Sequence, residues 1–299
     1  MNSFLFPKEG RNTIAYYIIS LISIFIGTYI IGTSIAFIPI SMNVPISEIN
    51  KGGDWTIYFS KNQSLVINLI PFFMGVLCVF LAAYSILKRP LLSLITSRSK
   101  IDYKRVGFAF VLFFILLTIQ SFISFIIDPT TVKYNFSGDQ FFLLLMIGIF
   151  VISLQTLFEE LLFRWFLLQF GSLLFRKGIL AIISSSIVFM SMHFANPEVE
   201  RLGLIAIVYY IVSGVFASII AVMDEGFELA WGFHFANNFF VVVLFNTTWG
   251  ALPTDSLFLD LSKPEASIYT LIFPLVTFPL LLFLFSRKYK WENWKSKLF

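Results

Sequence analysis

Charged residues are scarce in this chain of 299 residues, because Asp, Glu, Lys and Arg together make up only 13% of it. Soluble globular domains carry about 25%, so the composition excludes an ordinary water-soluble domain. Cysteine is almost absent as well. The one cysteine, Cys78, lies in an apolar run, and a single thiol excludes a framework of intramolecular disulfides.

Apolar residues replace the missing charges, at 58% of the chain with a mean hydropathy of +0.86. A membrane-spanning helix needs about 20 predominantly apolar residues. The sequence has no clear internal repeat, and it predicts one all-α domain over residues 1–299, a polytopic bundle of about eight transmembrane helices. The predicted spans are about Ile14–Phe37, Leu65–Leu87, Val106–Ile127, Phe141–Leu168, Ile179–Phe194, Leu202–Met223, Phe227–Phe245 and Ile268–Phe285.

Basic residues are divided unequally between the connections on the two sides of these spans. One side has the two termini, the connection 88–105 and the pair at 176–177, where most of the Lys and Arg residues lie. The other side holds only Lys51, Lys61, Lys133, Arg201 and Lys263. The positive-inside rule therefore predicts a multi-pass cell-membrane protein with both termini in the cytoplasm. The acidic pair Asp224–Glu225 departs from this pattern, because it falls on a connection predicted to be cytoplasmic.

The fourth apolar run contains three ionisable side chains, Glu159, Glu160 and Arg164, in the segment QTLFEELLFRW. A charge at the centre of a bilayer costs about 2.5–3.5 kcal/mol on insertion scales, so such residues are functional candidates. Glu160 and Arg164 are four residues apart and can pair across one helical turn. Glu159 is rotated by about 100° from Glu160, so its partner must come from another helix.

The chain contains only two histidines, and both lie in predicted spans. His193 ends the fifth span, and His234 lies early in the seventh, with Asn238 one turn later on the same face. A lone histidine in an apolar helix is more often structural than catalytic. Two histidines together with an unpaired glutamate nevertheless favour a shared polar site.

The spacing of these residues predicts one contact and raises one difficulty. A hairpin of spans four and five that turns at residues 176–177 brings Glu159 and His193 to a similar depth. His234 lies only about six residues, or ~9 Å, beyond Glu228. It can join the same site only if the connection 224–228 lies deep or span four is strongly tilted.

Three motifs therefore stand in order along the chain: EELLFR, FMSMH and HFANN. They resemble the pattern EExxxR, FxxxH and HxxxN (or HxxxD) of the CAAX-protease and bacteriocin-processing family, also called Abi or type II CAAX prenyl endopeptidases. The resemblance places the catalytic core at about residues 141–245. It implies an intramembrane endopeptidase that hydrolyses a peptide bond with an activated water inside a membrane-embedded cavity.

The family resemblance also implies a role for each motif residue. Glu159 is the general base with His193 as its partner, His234 and Asn238 hold the oxyanion, and Glu160 and Arg164 support the site. The family has also been described as a metalloprotease, in which case Glu159, His193 and His234 are the zinc ligands. The sequence lacks the HExxH motif of zinc proteases, which favours a glutamate mechanism without a cofactor.

The expected partners are the lipid bilayer and a membrane-associated peptide or protein substrate. The basic residues cluster beside the spans, where they orient the protein, so we expect no nucleic-acid partner. Two functions without hydrolysis remain open from the sequence: a transporter or proton relay, and a bacteriocin-immunity or scaffold protein. If the protein is a hydrolase, its catalytic water needs a polar cavity, which we expect between spans four, five and seven.

Overall fold

The computed structural model describes residues 4–52 and 54–299, and each predicted span coincides with a helical segment. We label these segments α1 to α8 in chain order. They are Ile14–Asn43, Lys61–Ile86, Tyr103–Ile127, Gly138–Phe175, Gly178–Ser191, Leu204–Asp224, Glu228–Phe239 and Ile268–Tyr289. Helix α7 continues as a π-helical turn over Phe240–Leu244.

In the described part of the chain, six helices are long and apolar enough to cross a membrane: α1 to α4, α6 and α8. The expectation of a polytopic helical membrane protein is confirmed, whereas the count of eight spans is not. Helix α5 has 14 residues, which cover ~21 Å at 1.5 Å per residue, less than the ~30 Å hydrocarbon core. Helix α7 has 12 residues before its π-helical turn. Helix α5 ends just before His193, and helix α7 contains His234.

Local sequence signals explain where several helices begin and end. Ser60 and Gln63 form a capping box at the start of α2, which satisfies free backbone N–H groups there. Arg176 adopts a left-handed conformation with φ of 56° and ends α4. The chain then reverses into α5, so α4 and α5 form the predicted hairpin at residues 176–177. Within α4, a π-helical turn over Leu161–Leu167 follows the glutamate pair directly.

Three short strands gather the connections at one end of the bundle, which we call the strand end. The strands are β1 Val132–Tyr134, β2 Phe245–Thr247 and β3 Phe258–Asp260. The central strand β3 is antiparallel to β1 and parallel to β2. An ion pair of 2.6 Å between Lys61 and Asp255 joins α2 to the same end. The strand end thus comprises the connections 44–52, 54–60, 128–137, 192–203 and 245–267.

The opposite end, which we call the basic end, collects the termini and the connections 87–102, 176–177 and 225–227. The Arg11 N–H donates to the carbonyl of Leu87, and the Phe227 N–H donates to the carbonyl of Ile95. The C-terminal segment joins them, because the Trp291 indole donates to Asp224 at 2.9 Å. Most of the basic residues lie here or on the adjoining ends of α3 and α8.

Ion pairs at the basic end explain the acidic connection that departs from the charge pattern. Arg98 pairs with Asp224 at 3.0 Å and with Glu228 at 2.7 Å, and Arg105 also pairs with Asp224. Burial opposes the charge on Arg98, but the hydrogen bonds and charges of the two carboxylates outweigh it and raise the pKa of the guanidinium. The acidic groups are therefore neutralised by the basic connection beside them.

Helix α7 lies inside the bundle and packs along α3. A side chain at Gly232 would overlap the backbone carbonyl of Val106, so glycine allows the two helices to approach closely. Phe233 contacts the rings of Phe113 and Phe216 at centroid distances of 4.3 and 4.8 Å. Glu228, at the start of α7, is fully buried. Helix α7 therefore begins inside the bundle, and His234, six positions later, also lies in the interior.

Candidate active site

Glu159 and Glu160 are both buried on α4, with exposed fractions of 8% and 0%. The side-chain amide of Gln155, one turn earlier, donates to Glu159 Oε1 at 2.6 Å. The other oxygen, Oε2, accepts no hydrogen bond from the described residues. Arg164 Nε lies 3.3 Å from Glu160 Oε2, which is the pair across one helical turn that the sequence predicted.

His234 lies between the two glutamates. Its Nδ1 is 2.8 Å from Glu160 Oε1, and its Nε2 is 3.4 Å from Glu159 Oε2. His234, whose position along the chain agreed least well with a shared site, is therefore the histidine that contacts Glu159. The reason is the buried start of α7 at Glu228, which removes the need for a strong tilt of α4.

The sequence predicted that Glu159 and His193 lie at a similar depth as partners at one site, and both residues line the same cavity. No hydrogen bond or ion pair between these two residues occurs in the described part of the chain. His193 lies in the turn after α5, which ends at Ser191. Its ring packs at a tilt against Tyr210 and Phe189, at centroid distances of 4.3 and 4.5 Å. His193 shares a cavity with Glu159 rather than a bond.

The hydrogen bonds of His193 define which ring nitrogen is free to accept a proton. Its Nδ1 lies 2.7 Å from the carbonyl oxygen of Phe189. A carbonyl only accepts hydrogen bonds, so Nδ1 carries the proton and donates it. In a neutral ring, Nε2 is then left with a lone pair. A neutral His193 can therefore accept a hydrogen bond at Nε2.

Each nitrogen of His234 lies beside a carboxylate, with Glu160 at Nδ1 and Glu159 at Nε2. Ionised carboxylates only accept hydrogen bonds. The position of His234 therefore suits it to donate an N–H to either glutamate.

Asn238 is held one turn beyond His234 by neighbouring amides. Its Nδ2 donates to Gln155 Oε1 at 2.9 Å, and its Oδ1 accepts from Asn237 Nδ2 at 3.0 Å. An amide nitrogen carries two hydrogens, so one N–H of Asn238 remains available. Gln155 thus bridges Glu159 and Asn238. Gln155 is not among the residues predicted from the sequence, although it precedes Glu159 by one helical turn.

Phe189 supports several of the charged groups at once. The Arg164 guanidinium lies 4.6 Å from the centre of its ring, which is a cation–π contact. The same ring lies against His193 and faces His234 edge-on at 6.3 Å. The aromatic residue of the second motif therefore positions groups from all three motifs. Tyr210, which packs against His193, had no sequence signal because only the fold brings α6 to α5.

A cavity of about 650 Å³ contains the site and is lined by Glu159, His193, His234 and Asn238. Its walls come from α4, α5 and α7, as expected, but also from α1, α2, α6, α8 and the connection after β2. Asn68, Tyr209, Asn246 and Thr270 are examples of these further lining residues. Part of the cavity wall therefore lies outside residues 141–245.

The side chains present do not form a ligand set for zinc. Within residues 4–52 and 54–299, no three His, Cys, Asp or Glu side chains are grouped so that they could hold a metal ion. Each nitrogen of His234 faces a carboxylate, and Nδ1 of His193 faces a backbone carbonyl. The histidine and glutamate donors therefore do not converge on one point as zinc coordination requires.

The fold and the site define a multi-pass helical membrane protein with a buried Glu–His cluster on an internal cavity. The family model "Type II CAAX prenyl endopeptidase Rce1-like" matches residues 140–240. The uncharacterized protein YyaK of Bacillus subtilis (strain 168) is 30% identical over 260 residues, which cover 85% of this chain and 86% of that protein. No solved structure matches the chain. The chain belongs to the Rce1-like family of type II CAAX prenyl endopeptidases.

The pair of Glu160 and Arg164 gives a stability prediction. Glu160→Gln should lower the free energy of unfolding by about 3–5 kcal/mol, because it leaves Arg164 buried without its counter-charge. Thermal unfolding in detergent measures the change, and Glu200→Gln, at an exposed residue of the connection 192–203, is the matched control. An unchanged melting temperature would show that the pair does not stabilise the fold.

Proposed function

We propose that this protein is an intramembrane endopeptidase, and that Glu159 and His193 activate the water that hydrolyses the peptide bond. The observation that supports this most directly is Glu159 Oε2. It belongs to a buried residue that lines a large cavity, it accepts no hydrogen bond of normal geometry from the described residues, and the neighbouring Nε2 of His234 lies 3.4 Å away. A water in the cavity can donate to the Glu159 carboxylate, and Nε2 of His193 offers a second acceptor on the same cavity.

The reaction needs one base and two proton transfers. Glu159 takes a proton from the water while the water oxygen bonds to the carbonyl carbon of the peptide, and the carbonyl electrons move onto its oxygen. When this tetrahedral intermediate collapses, the carbon–nitrogen bond breaks. Glu159 passes the proton to the leaving nitrogen. The products are a carboxyl terminus and an amine, and Glu159 is again ionised for the next cycle.

His234 and Asn238 provide the donors for the oxyanion. When Glu159 takes the proton it becomes neutral, and its attraction for the Nε2–H of His234 falls. The negative charge then lies on the substrate oxygen, so the same N–H can stabilise it without a change in the net charge of the site. The free N–H of Asn238 is the second donor. Donors placed before the reaction act strongly in such a water-poor site.

The expected partners are the bilayer and a peptide substrate. The cavity, at about 650 Å³, is within the usual range of roughly 300–1,000 Å³ for small-molecule sites, so it accommodates a few residues of an extended chain. The substrate must therefore enter as an unfolded segment. None of the contacts among the residues that line the cavity requires the segment to be prenylated.

The assignment of Glu159 predicts a loss of activity without a loss of the fold. Glu159→Gln should remove measurable cleavage of a library of quenched fluorescent peptides, since a general base contributes about 10²–10⁴-fold and an amide cannot replace it. The variant should keep the gel-filtration profile and melting temperature of the native protein. Glu265→Gln, on the exposed connection before α8, is the control. Full activity in a folded Glu159→Gln protein would refute the mechanism.

The assignment of Asn238 predicts a change in kcat rather than in KM. Asn238→Ala should lower kcat by about 10²–10³-fold, the usual cost of removing one oxyanion donor, with little effect on KM. Asn68→Ala, which changes the same cavity on α2, should leave kcat nearly unchanged. Equal effects of the two substitutions would indicate that Asn238 only shapes the cavity.

The absence of a converging ligand set predicts that activity does not depend on a metal. Treatment of the purified protein with phenanthroline, followed by its removal, should leave the rate of peptide cleavage unchanged. The measurement also needs a zinc-dependent protease treated in parallel, to show that chelation was effective. Loss of cleavage with recovery on adding zinc would favour the alternative in which His193 and His234 are ligands.

A further inference from the structure

The cavity that contains the candidate site extends to one end of the bundle only. Several of its lining residues belong to connections of the strand end, among them Asn196, Glu198, Thr247 and Gly250. Its lining residues on α2 and α6, such as Asn68 and Ile205, lie near the ends of those helices that face the strand end. No described lining residue belongs to the basic end.

Ion pairs around Glu228 lie between the site and the other end of the bundle, where a separate pocket of about 440 Å³ shares no lining residue with the cavity of the site. The Glu228 carboxylate is fully buried, and Arg98 bonds it to the connection before α3. The C-terminal segment covers the same region, because Trp291 donates to Asp224 and Lys297 donates to the carbonyl of Met223. The residues between the site and the basic end are thus joined by ion pairs or hydrogen bonds to the connection 87–102, to the start of α3 and to the C-terminal segment.

The charge distribution indicates how the two ends lie in a membrane. The strand end holds only Lys51, Lys61, Lys133, Arg201 and Lys263 among the basic residues. Its connections are short, so the exception of the positive-inside rule for long loops does not apply. The one conflict with the rule is removed by the pairing of Asp224 with Arg98 and Arg105. The basic end is therefore the cytoplasmic end.

We propose that the catalytic cavity is reached from the extracytoplasmic side, and that its substrates are peptide segments presented on that side of the membrane. These segments belong to exported peptides or to the outer parts of membrane proteins. The proposal rests on the proposed function for its substrate, whereas the side of access follows from the cavity and the charges alone. A peptide in the cytoplasm would have to pass the ion pairs at the basic end to reach Glu159.

The side of access can be measured by labelling single cysteines, because the chain has only Cys78 to remove. In a Cys78→Ala background, Lys263→Cys reports the strand end, Lys100→Cys reports the basic end, and Thr247→Cys reports the cavity wall. The three positions are described residues, and the two lysines are exposed. A sulfonated maleimide is the probe, because its fixed charge prevents it from crossing the hydrocarbon core.

We expect Lys263→Cys and Thr247→Cys to be labelled in intact cells, and Lys100→Cys only after the membrane is permeabilised. Labelling of Lys100→Cys in intact cells, with protection of Lys263→Cys, would overturn the proposed orientation. Labelling of Lys263→Cys without Thr247→Cys would overturn access to the cavity from that side, provided that Thr247→Cys reacts in the detergent-solubilised protein. Failure of Thr247→Cys to react even in detergent would also contradict an accessible cavity wall.

The substrate side needs a second measurement that depends on catalysis. Membrane peptides from cells with the native protein are compared by mass spectrometry with those from cells with Glu159→Gln, before and after proteinase K is added outside. Precursors that accumulate in the variant should be lost on external digestion. Precursors that survive it would overturn the proposed substrate class. A complete absence of accumulating precursors would count against the proposed function, while the labelling result would still decide the side of access.

Discussion

The contact of His234 with two carboxylates is the interaction on which the rest of the site depends. Two adjacent carboxylates in an apolar interior need partners beside them. Arg164 lies beside Glu160, and His234 lies between both carboxylates. This requirement relates the position of α7 to that of α4. It also places Nε2 of His234 beside Glu159, which is where the proposed mechanism needs a donor once Glu159 has taken a proton.

The position of His234 depends on contacts at a distance from the site. Helix α7 is too short to start at a membrane surface and still carry a residue near the middle of α4. Its first residue, Glu228, is instead buried and paired with Arg98, and Gly232 allows α7 to lie against α3. The ion pairs at the basic end therefore hold the start of α7 in place, and this positions His234 beside the cavity. One arrangement serves both purposes.

The division of the chain into a basic end, joined by ion pairs, and a strand end, which borders the cavity, relates structure to proposed function. Peptide hydrolysis requires water, and water must reach a carboxylate that lies among apolar helices. The cavity meets this requirement because it is bordered by the connections and strands at one end. The short helices α5 and α7 contribute to it, since their ends at His193 and beyond Asn238 leave polar backbone and side chains near the cavity instead of hydrocarbon.

The sequence alone determined the class of protein, the approximate helices, the pairing of Glu160 with Arg164 and the set of candidate residues. These follow from composition, from runs of apolar residues and from spacing along one helix, which are local properties. It did not determine that His234, rather than His193, contacts Glu159, that Gln155 joins Glu159 to Asn238, or that Tyr210 packs against His193. Those contacts join helices far apart in the chain. Their distances depend on how deeply each helix begins and on which helices pack together, and only the tertiary structure decides that.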